Sequence, residues 1–422
     1  MASVTSPAQL DGMFKQVYAD NIQNLIPETA RLVKDIKFVS ADKETGNKYN
    51  QPVVLSNEQG ISFGGSSAGA FSLNSAVALT MKNAQLEGSS MVLRSAISYD
   101  AAAKASNSKK AFVRGTEFLI ENMMESMTKF LEIGLLYGGT GLGNFTAISG
   151  SGTSRVVTCS TASWASGIWS GTENAVINFY TAAAALVSSG ADADFIITSV
   201  DIANRKLTLS CTSTGGTALS TAIGSGACDG FWKGSKGNEM IGLNSALTTS
   251  GSVHGINNST YSLWAGNTHG CGSAALTLAK VLSGMSKAVE RGLNEDVYLY
   301  CNPVTWSNLN SDQAALRSYD YSYKPGKAEA GAHAIEYHGN NGKITVVPHN
   351  CVKEGEAFAL PLKKARRVGA SEITFKRPGR QNEDFFRELS DSAGYELRCF
   401  TDQSLFIEAP ARCVKFNAIV NS

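Results

Sequence analysis

Between Ser106 and Tyr137 the chain reads SNSKKAFVRGTEFLIENMMESMTKFLEIGLLY, without a proline and with apolar residues at helical spacing throughout. Phe112, Leu119, Met123, Met127, Phe130, Gly134 and Tyr137 recur at steps of three, four and seven. Phe118, Met124, Leu131 and Leu135 widen the stripe, and Glu117, Glu121, Glu125 and Lys129 flank it, Glu125 and Lys129 as an i,i+4 pair. About 30 residues at 1.5 Å each make a rod of roughly 45 Å, where an ordinary helix has about 12 residues. A coiled coil needs a narrow a/d seam, and this stripe is broader.

The rod runs into LLYGGTGLGNFT, with glycine at 138, 139, 141 and 143. A dinucleotide fingerprint is G-x-G-x-x-G after a strand and opening a helix. Here the spacing is one residue short, the run comes after a helix, and NFTAISGSG does not open one. The run therefore reads as a helix stop, with glycine supplying the positive φ of a C-cap. GSSAG at 65–69 matches G-x-S-x-G around Ser67, but the next residues, AFSLNSAVALT, alternate like a strand, where a nucleophile elbow needs a helix.

The remaining chain is extended or mixed. Leu10 to Ile26 has apolar steps of three and four, ended by Pro27, and reads as an amphipathic helix. Residues 47–98 are β-branched and alternating around a glycine- and serine-rich centre, with few large apolar residues, so this strand pair must lean on something else. Residues 139–272 hold half of the 41 glycines, no proline, and the strand-like runs SRVVTCS, AVINFY, DFIITSVD and RKLTLSC, the last two reading as a hairpin turning at Ala203-Asn204. A third helix is expected at 273–293, a strand at VYLYCN, a short helix at PVTWSNLNSD, strands within 334–362, and three more in the tail at YELRCF, SLFIEA and CVKFNAIV. No βαβα alternation occurs, so the class is α+β.

Composition narrows the function. The 422 residues suffice for two or three domains. Charged residues make up 17%, against about 25% in an ordinary soluble chain, which fits surface buried against other copies. A net charge of +1 gives no global field toward nucleic acid or membrane. No apolar run is long enough to span a bilayer, and the start lacks a signal-peptide pattern, so synthesis in the cytoplasm with eight reduced cysteines is expected. No CxxC pair occurs, and the five histidines (254, 269, 333, 338 and 349) make no ligand spacing, so neither metal nor cofactor is expected. Nucleophile, base and orienter do not assemble, and no enzyme is expected. A basic cluster at Lys363, Lys364, Arg366, Arg367, Lys376, Arg377 and Arg380 reads as a solvated face, an intersubunit ion-pair strip or a non-specific DNA phosphate contact.

The order of elements resembles the major capsid proteins of tailed double-stranded-DNA bacteriophages, with the Hong Kong 97 phage capsid fold. QLEGSSMVLRSAISYDAAAKA (85–105) looks like the return strand of that family's extended loop, and AFVRGTEFLIENMMESMTKFLEIGLLYGGTGLG like its spine helix and glycine exit. GNEMIGLNSALTTSGSVHGINNSTYSLWAGN (237–267) is similar to the re-entry after an insertion in podovirus-type capsid proteins, and VYLYCNPVTWSNLNSD looks like an axial-domain strand and helix.

The resemblance implies an N-terminal arm at 1–46, an extended loop at 47–104 lying over a neighbouring subunit, and a spine helix and peripheral domain at 105–149 completed by 390–422. It further implies a β-rich insertion domain at 150–238 and a mainly axial domain at 239–389. It implies a virion shell of hexamers and pentamers around packaged double-stranded DNA, assembled in the host cytoplasm with a portal, a separate scaffolding protein and, in some members, a decoration protein; no membrane is involved. The Lys, Asn and Glu positions by which some members cross-link find no match, so no cross-link is expected. Leu10, Phe14 and Tyr18 on the arm, and Phe63, Phe71, Leu79, Met81 and Leu86 on the loop, are the expected assembly contacts. An encapsulin-like nanocompartment shell and, from another class, a nucleotide-dependent enzyme using 135–146 are the alternatives.

Overall fold

The computed structural model describes residues 31–40, 48–66, 69–98, 109–311, 335–339, 342–375, 386–389 and 393–421. Its centre is the long helix. After a short helix α1 (Leu32–Asp35), helix α2 runs Lys109–Tyr137. Met123, Met127, Leu131, Leu135 and Tyr137 are buried along it, as the stripe requires. Lys129, expected on the flank beside Glu125, is instead turned into the body, where its ammonium donates to the Ser170 carbonyl at 2.5 Å.

The glycine run ends α2 as expected. Gly139 has φ +77°, and a Cβ on Gly138 would sit 2.3 Å from the Met240 carbonyl oxygen. The chain returns there at backbone distance, with Gly242 N–H donating to the Gly138 carbonyl at 2.9 Å. Glycine serves geometry and close approach.

Among the described residues the strands form two large sheets, a closed barrel and smaller pairs. In chain order they are β1 (Phe38–Ser40), β2 (Tyr49–Ser56), β3 (Thr80–Leu86), β4 (Ser89–Ser98), β5 (Gly143–Ser149), β6 (Ser154–Cys159), β7 (Val176–Thr181), β8 (Phe195–Asp201), β9 (Lys206–Ser210), β10 (Cys228–Trp232), β11 (Ser252–Val253), β12 (Ile256–Asn257), β13 (Asn267–Ala274), β14 (Val297–Cys301), β15 (Ile335–Gly339), β16 (Gly342–Pro348), β17 (Ala357–Leu360), β18 (Ala365–Thr374), β19 (Phe386–Glu388), β20 (Gly394–Ile407) and β21 (Val414–Ile419).

The barrel closes in the order β10-β5-β6-β9-β8-β7. Its interior is filled by Phe145, Val157, Ile177, Phe179, Phe195, Ile197, Leu207 and Leu209, in the alternation a small barrel needs. The β8–β9 hairpin turns at 202–205, around the expected dipeptide. Trp164 and Trp169 stack at 6.3 Å beside the barrel, in one apolar core with Leu135, Tyr137, Tyr300 and Phe358. The barrel is thus continuous with the body.

One sheet runs β1-β18-β20-β19, with β4 on the other side of β20. The second runs β13-β21-β17-β14-β16-β15 and is covered by the amphipathic helix α3 (Leu278–Glu290). This helix begins later than expected because Asn267–Ala274 is strand, and Thr277 caps it by accepting from Lys280 N–H.

The structure corrects three expectations about domains. β4 does not return the extended loop: it pairs along its length with β20, and β3 is the strand that returns against β2. The first two tail strands are one long strand, β20, because the polar Thr401, Asp402 and Gln403 stay in the ladder. The last, β21, joins the second sheet, where Val414, Phe416 and Ile419 pack under α3, while β18 joins the sheet of β20. The two sheets therefore exchange segments across the expected boundary near residue 390.

Candidate assembly surface

β2 and β3 form a hairpin in which Tyr49 opposes Leu86 and Val54 opposes Met81. Its root is buried: Leu55, Ala84 and Leu86 pack with Ile256, Trp264, Val368 and Phe406. Leu86, expected as an intersubunit contact, is 2% exposed and belongs to this internal cluster. Beyond the root the ribbon continues through a Gln59–Val77 bridge. Its arms are tied near the tip by Asn74, whose N–H donates to Ser62 Oγ at 2.7 Å and whose amide donates to the Ile61 carbonyl at 2.8 Å.

The distal ribbon is apolar and uncovered. Phe63 is 88% exposed and Leu73 79%, and Phe71, Leu79 and Met81 are exposed with them. Sequence reasoning missed Val54, Ile61, Leu73 and Val77, which are exposed alongside. The signal was present: 71, 73, 77, 79 and 81 share the parity that puts side chains on one face of an extended strand. Each such side chain stabilises a contact by about 1.5–3 kcal/mol when buried, and a contiguous exposed set of this kind marks an interaction surface.

The root of the expected arm is fastened to the body. Leu10, Phe14 and Tyr18 lie outside the described residues. At 31–36 the chain closes α1 over α2, burying Leu32 and Ile36. The buried carboxylate of Glu132 accepts from the backbone N–H groups of Arg31 (3.2 Å), Leu32 (2.6 Å) and Val33 (2.9 Å), filling donors that the start of a helical turn leaves open. His349 Nε2 lies 2.6 Å from the same carboxylate, and its Nδ1 accepts from Cys351 N–H at 3.1 Å. Tyr300 donates to Asp35 at 2.7 Å; burial and that carboxylate push its hydroxyl well above the usual range.

Arg367 fastens the other end. Only 4% exposed, it donates to the Ile36 carbonyl (2.9 Å), the Val33 carbonyl (3.0 Å), Gln403 Oε1 (2.9 Å) and Glu372 Oε1 (2.9 Å). The expectation that Arg367 faces DNA or a subunit is corrected: its guanidinium fork is consumed inside the chain. Lys364 lies 3.6 Å from Glu408 and 4.0 Å from Glu295, and Arg366 pairs with Glu408. Lys363 is exposed; Lys376, Arg377 and Arg380 lie outside the described residues. Surface pairs of this kind contribute about 0–1 kcal/mol.

The glycine exit carries polar contacts, all structural. Lys353 is buried; its ammonium donates to the Gly141 carbonyl at 2.6 Å and lies 4.1 Å from the Tyr137 ring centre, and burial pulls its pKa down. Glu239 accepts from Gly139 N–H at 3.0 Å, and burial raises its carboxyl. With β5 starting at Gly143 no helix N-terminus comes after the run, so the nucleotide-loop alternative is corrected. Ser67 lies outside the described residues, and no helix occurs in 69–98. No group of three or more metal-ligating side chains occurs among the described residues, and no helix among them is long and apolar enough to cross a membrane.

Residues 225–385 match the family model described as SU10 major capsid protein. The capsid asymmetric unit of cyanophage A-1(L) aligns with a TM-score of 0.56 at 13% identity, over 98% of this chain and 99% of that one. The capsid of the native GTA particle aligns at 0.52 and 7% identity, over 99% and 100%. The capsid of cyanophage P-SCSP1u aligns at 0.50 and 9%, over 98% and 95%. At these identities the likeness is one of fold. No curated protein sequence matches the chain. Residues 225–385 are thus similar to a phage major capsid family, and the whole chain shares the fold of these capsid proteins.

Proposed function

We propose that copies of this chain assemble non-covalently into hexamers and pentamers of an icosahedral shell around double-stranded DNA, without catalysis. The hairpin carries the reading: its root is anchored by Leu55 and Leu86, while Phe63 and Leu73 project uncovered from their own chain. A neighbouring copy supplies the missing cover. The portal, a separate scaffolding protein, an optional decoration protein and assembly in the host cytoplasm belong to the same proposal. DNA is met through phosphates alone, with Lys363 and Arg366 the exposed cations of the expected cluster among the described residues.

Electron microscopy of the purified chain tests this, beside a Phe63→Asp/Leu73→Asp variant. The native chain is expected to form closed shells of uniform size. The variant should keep its circular dichroism spectrum, since neither side chain is buried, and should stay as small oligomers. Normal shells at normal yield from the variant would remove the hairpin from the assembly mechanism.

A further inference from the structure

Strand β13 is an end strand of the second sheet. It pairs with β21 on one side and with no strand among the described residues on the other. Asn267 N–H points to the β21 side, donating to the Cys413 carbonyl at 3.3 Å, so by alternation the Thr268 carbonyl points outward. Gly270, Gly272 and Ser273 are exposed, and a Cβ on Gly272 would meet nothing within 4 Å. The surface here is bare backbone, open to close approach.

Helix α3 lays a ridge of cations along this edge. Lys280, Lys287 and the residue after the helix, Arg291, lie seven and four positions apart, within about 20° of one line at 3.6 residues per turn. Lys287 is exposed and the other two are half-buried. Their described partners are all backbone carbonyls. Lys280 Nζ donates to Cys271 (2.9 Å) and Ala275 (2.7 Å), Lys287 Nζ to Thr268 (3.1 Å), and Arg291 to Ala265 (3.0 Å). The one acidic residue of α3, Glu290, stands about 80° round the helix from Lys280. The charges are therefore oriented but not neutralised. His269 lies in their field: burial, then Lys287 and Lys280, hold its imidazole below the usual range.

Two features select the occupant. Lys287 already fills the outward carbonyl of Thr268, and a lysine on an edge deters strand addition, so the edge offers charge rather than a ladder. The ridge is also about 16 Å long at 1.5 Å per residue, the rise of roughly five phosphates along one DNA strand. A lone anion uses a fraction of that length, and a regular polyanion uses all of it.

We propose that this edge and ridge form a contact for the phosphate backbone of duplex DNA, with Lys280, Lys287 and Arg291 facing phosphates and Gly270 and Gly272 leaving room for them. The contact rests on the shell reading for the presence of DNA, and it lies on a different sheet from the exposed cations Lys363 and Arg366. It positions the duplex and reads no sequence.

Fluorescence anisotropy of the unassembled full chain with a short labelled duplex, from about 50 to about 200 mM KCl, tests the contact. Each phosphate contact adds about 0.9 to the slope of log affinity against log salt. Lys280→Gln/Lys287→Gln should lower that slope by about two, equally on unrelated duplex sequences. Gly270→Asp leaves both lysines in place and sets a carboxylate beside them, at a position where a Cβ lies 3.5 Å from its nearest neighbour; it should weaken binding as well. An unchanged slope in a Lys280→Gln/Lys287→Gln variant with native circular dichroism overturns the proposal and leaves the shell reading standing. So does a slope lost wholly in Lys363→Gln/Arg366→Gln. Displacement of the duplex by poly-glutamate of equal charge as readily as by unlabelled duplex makes an acidic protein the partner and equally overturns it. Failure of the native chain to form shells, with the slope carried by the ridge, supports the contact and removes the shell reading alone.

Discussion

The carboxylate of Glu132 lies 2.6 Å from Nε2 of His349, 217 positions further along the chain, and both side chains are buried. Because His349 accepts the Cys351 N–H at Nδ1, the proton it shares with Glu132 sits on Nε2. The same carboxylate holds three backbone N–H groups of 31–33. One acidic side chain thus joins the long helix, the turn after β16 and the root of the arm.

Glu132→Ala should therefore act at all three places. Four donors lose an acceptor in a dry setting, and leaving a buried donor unmade costs about 1–3 kcal/mol. A net loss of roughly 3 kcal/mol or more is expected in urea unfolding of the unassembled chain. Proteolysis within 31–40 should accelerate in parallel. A variant that unfolds within about 0.5 kcal/mol of the native chain, the range of a neutral surface change, would show the junction to be dispensable.

The basic cluster should split by burial. Arg367→Lys keeps the charge but loses the planar fork that reaches Ile36, Val33, Gln403 and Glu372, and should destabilise by about 2–4 kcal/mol. Lys363→Ala, at an exposed position, should stay within about 0.5 kcal/mol. Melting temperatures of the two variants, measured side by side, check the contrast.

Buried thiols make the fold alkali-sensitive. Burial pushes Cys351 and Cys413 up to about 12 and Cys399 up to about 11, from 9.0. Between 9.0 and those values the folded chain holds thiol protons that the unfolded chain has released, so stability falls as pH rises. Each thiol contributes about 1.4 kcal/mol per pH unit. Lys353 and Lys129, both lowered by burial, work in the opposite sense below 10.5, two groups against eight raised thiols. Urea midpoints should drop steadily from about pH 9 to about pH 10.5, and less steeply in Cys351→Val/Cys413→Val.

The glycine exit should rank its own substitutions. Gly139→Ala places a side chain at φ +77° with its nearest neighbour at 3.4 Å, and should cost about 1 kcal/mol. Gly138→Ala drives a methyl into backbone, the Met240 carbonyl, and should abolish soluble expression. Equal thermal stability of the two variants would contradict the close crossing of Gly138 and Met240.

Legibility in the sequence divides along one physical line. The stripe from Met123 to Tyr137 and the hairpin across 195–210 are local patterns, and both stand where periodicity put them. The closed barrel depends on β10 meeting β5 and β7, a pairing that no local period announces. Arg367 looked like one more member of a cationic run because its partners, Val33 and Ile36, lie more than 300 residues away. Lys129 sat on the edge of the helical stripe, and only the arrival of Ser170 turned it inward. In the hairpin, alternation was legible and burial was not: Leu86 and Leu79 look alike in sequence, and Trp264 covers only the first.

The barrel's closure has a consequence for how crowded copies avoid one another. An open strand edge bonds indiscriminately to other edges, and a shell brings many identical chains to high local concentration. Each of the barrel strands β5–β10 has both its neighbours inside the same chain. Closure takes these strands out of circulation as sticky edges and, among the described residues, leaves β4 and the hairpin ribbon with an unpaired edge. Errors of assembly are then limited by topology before any affinity is compared.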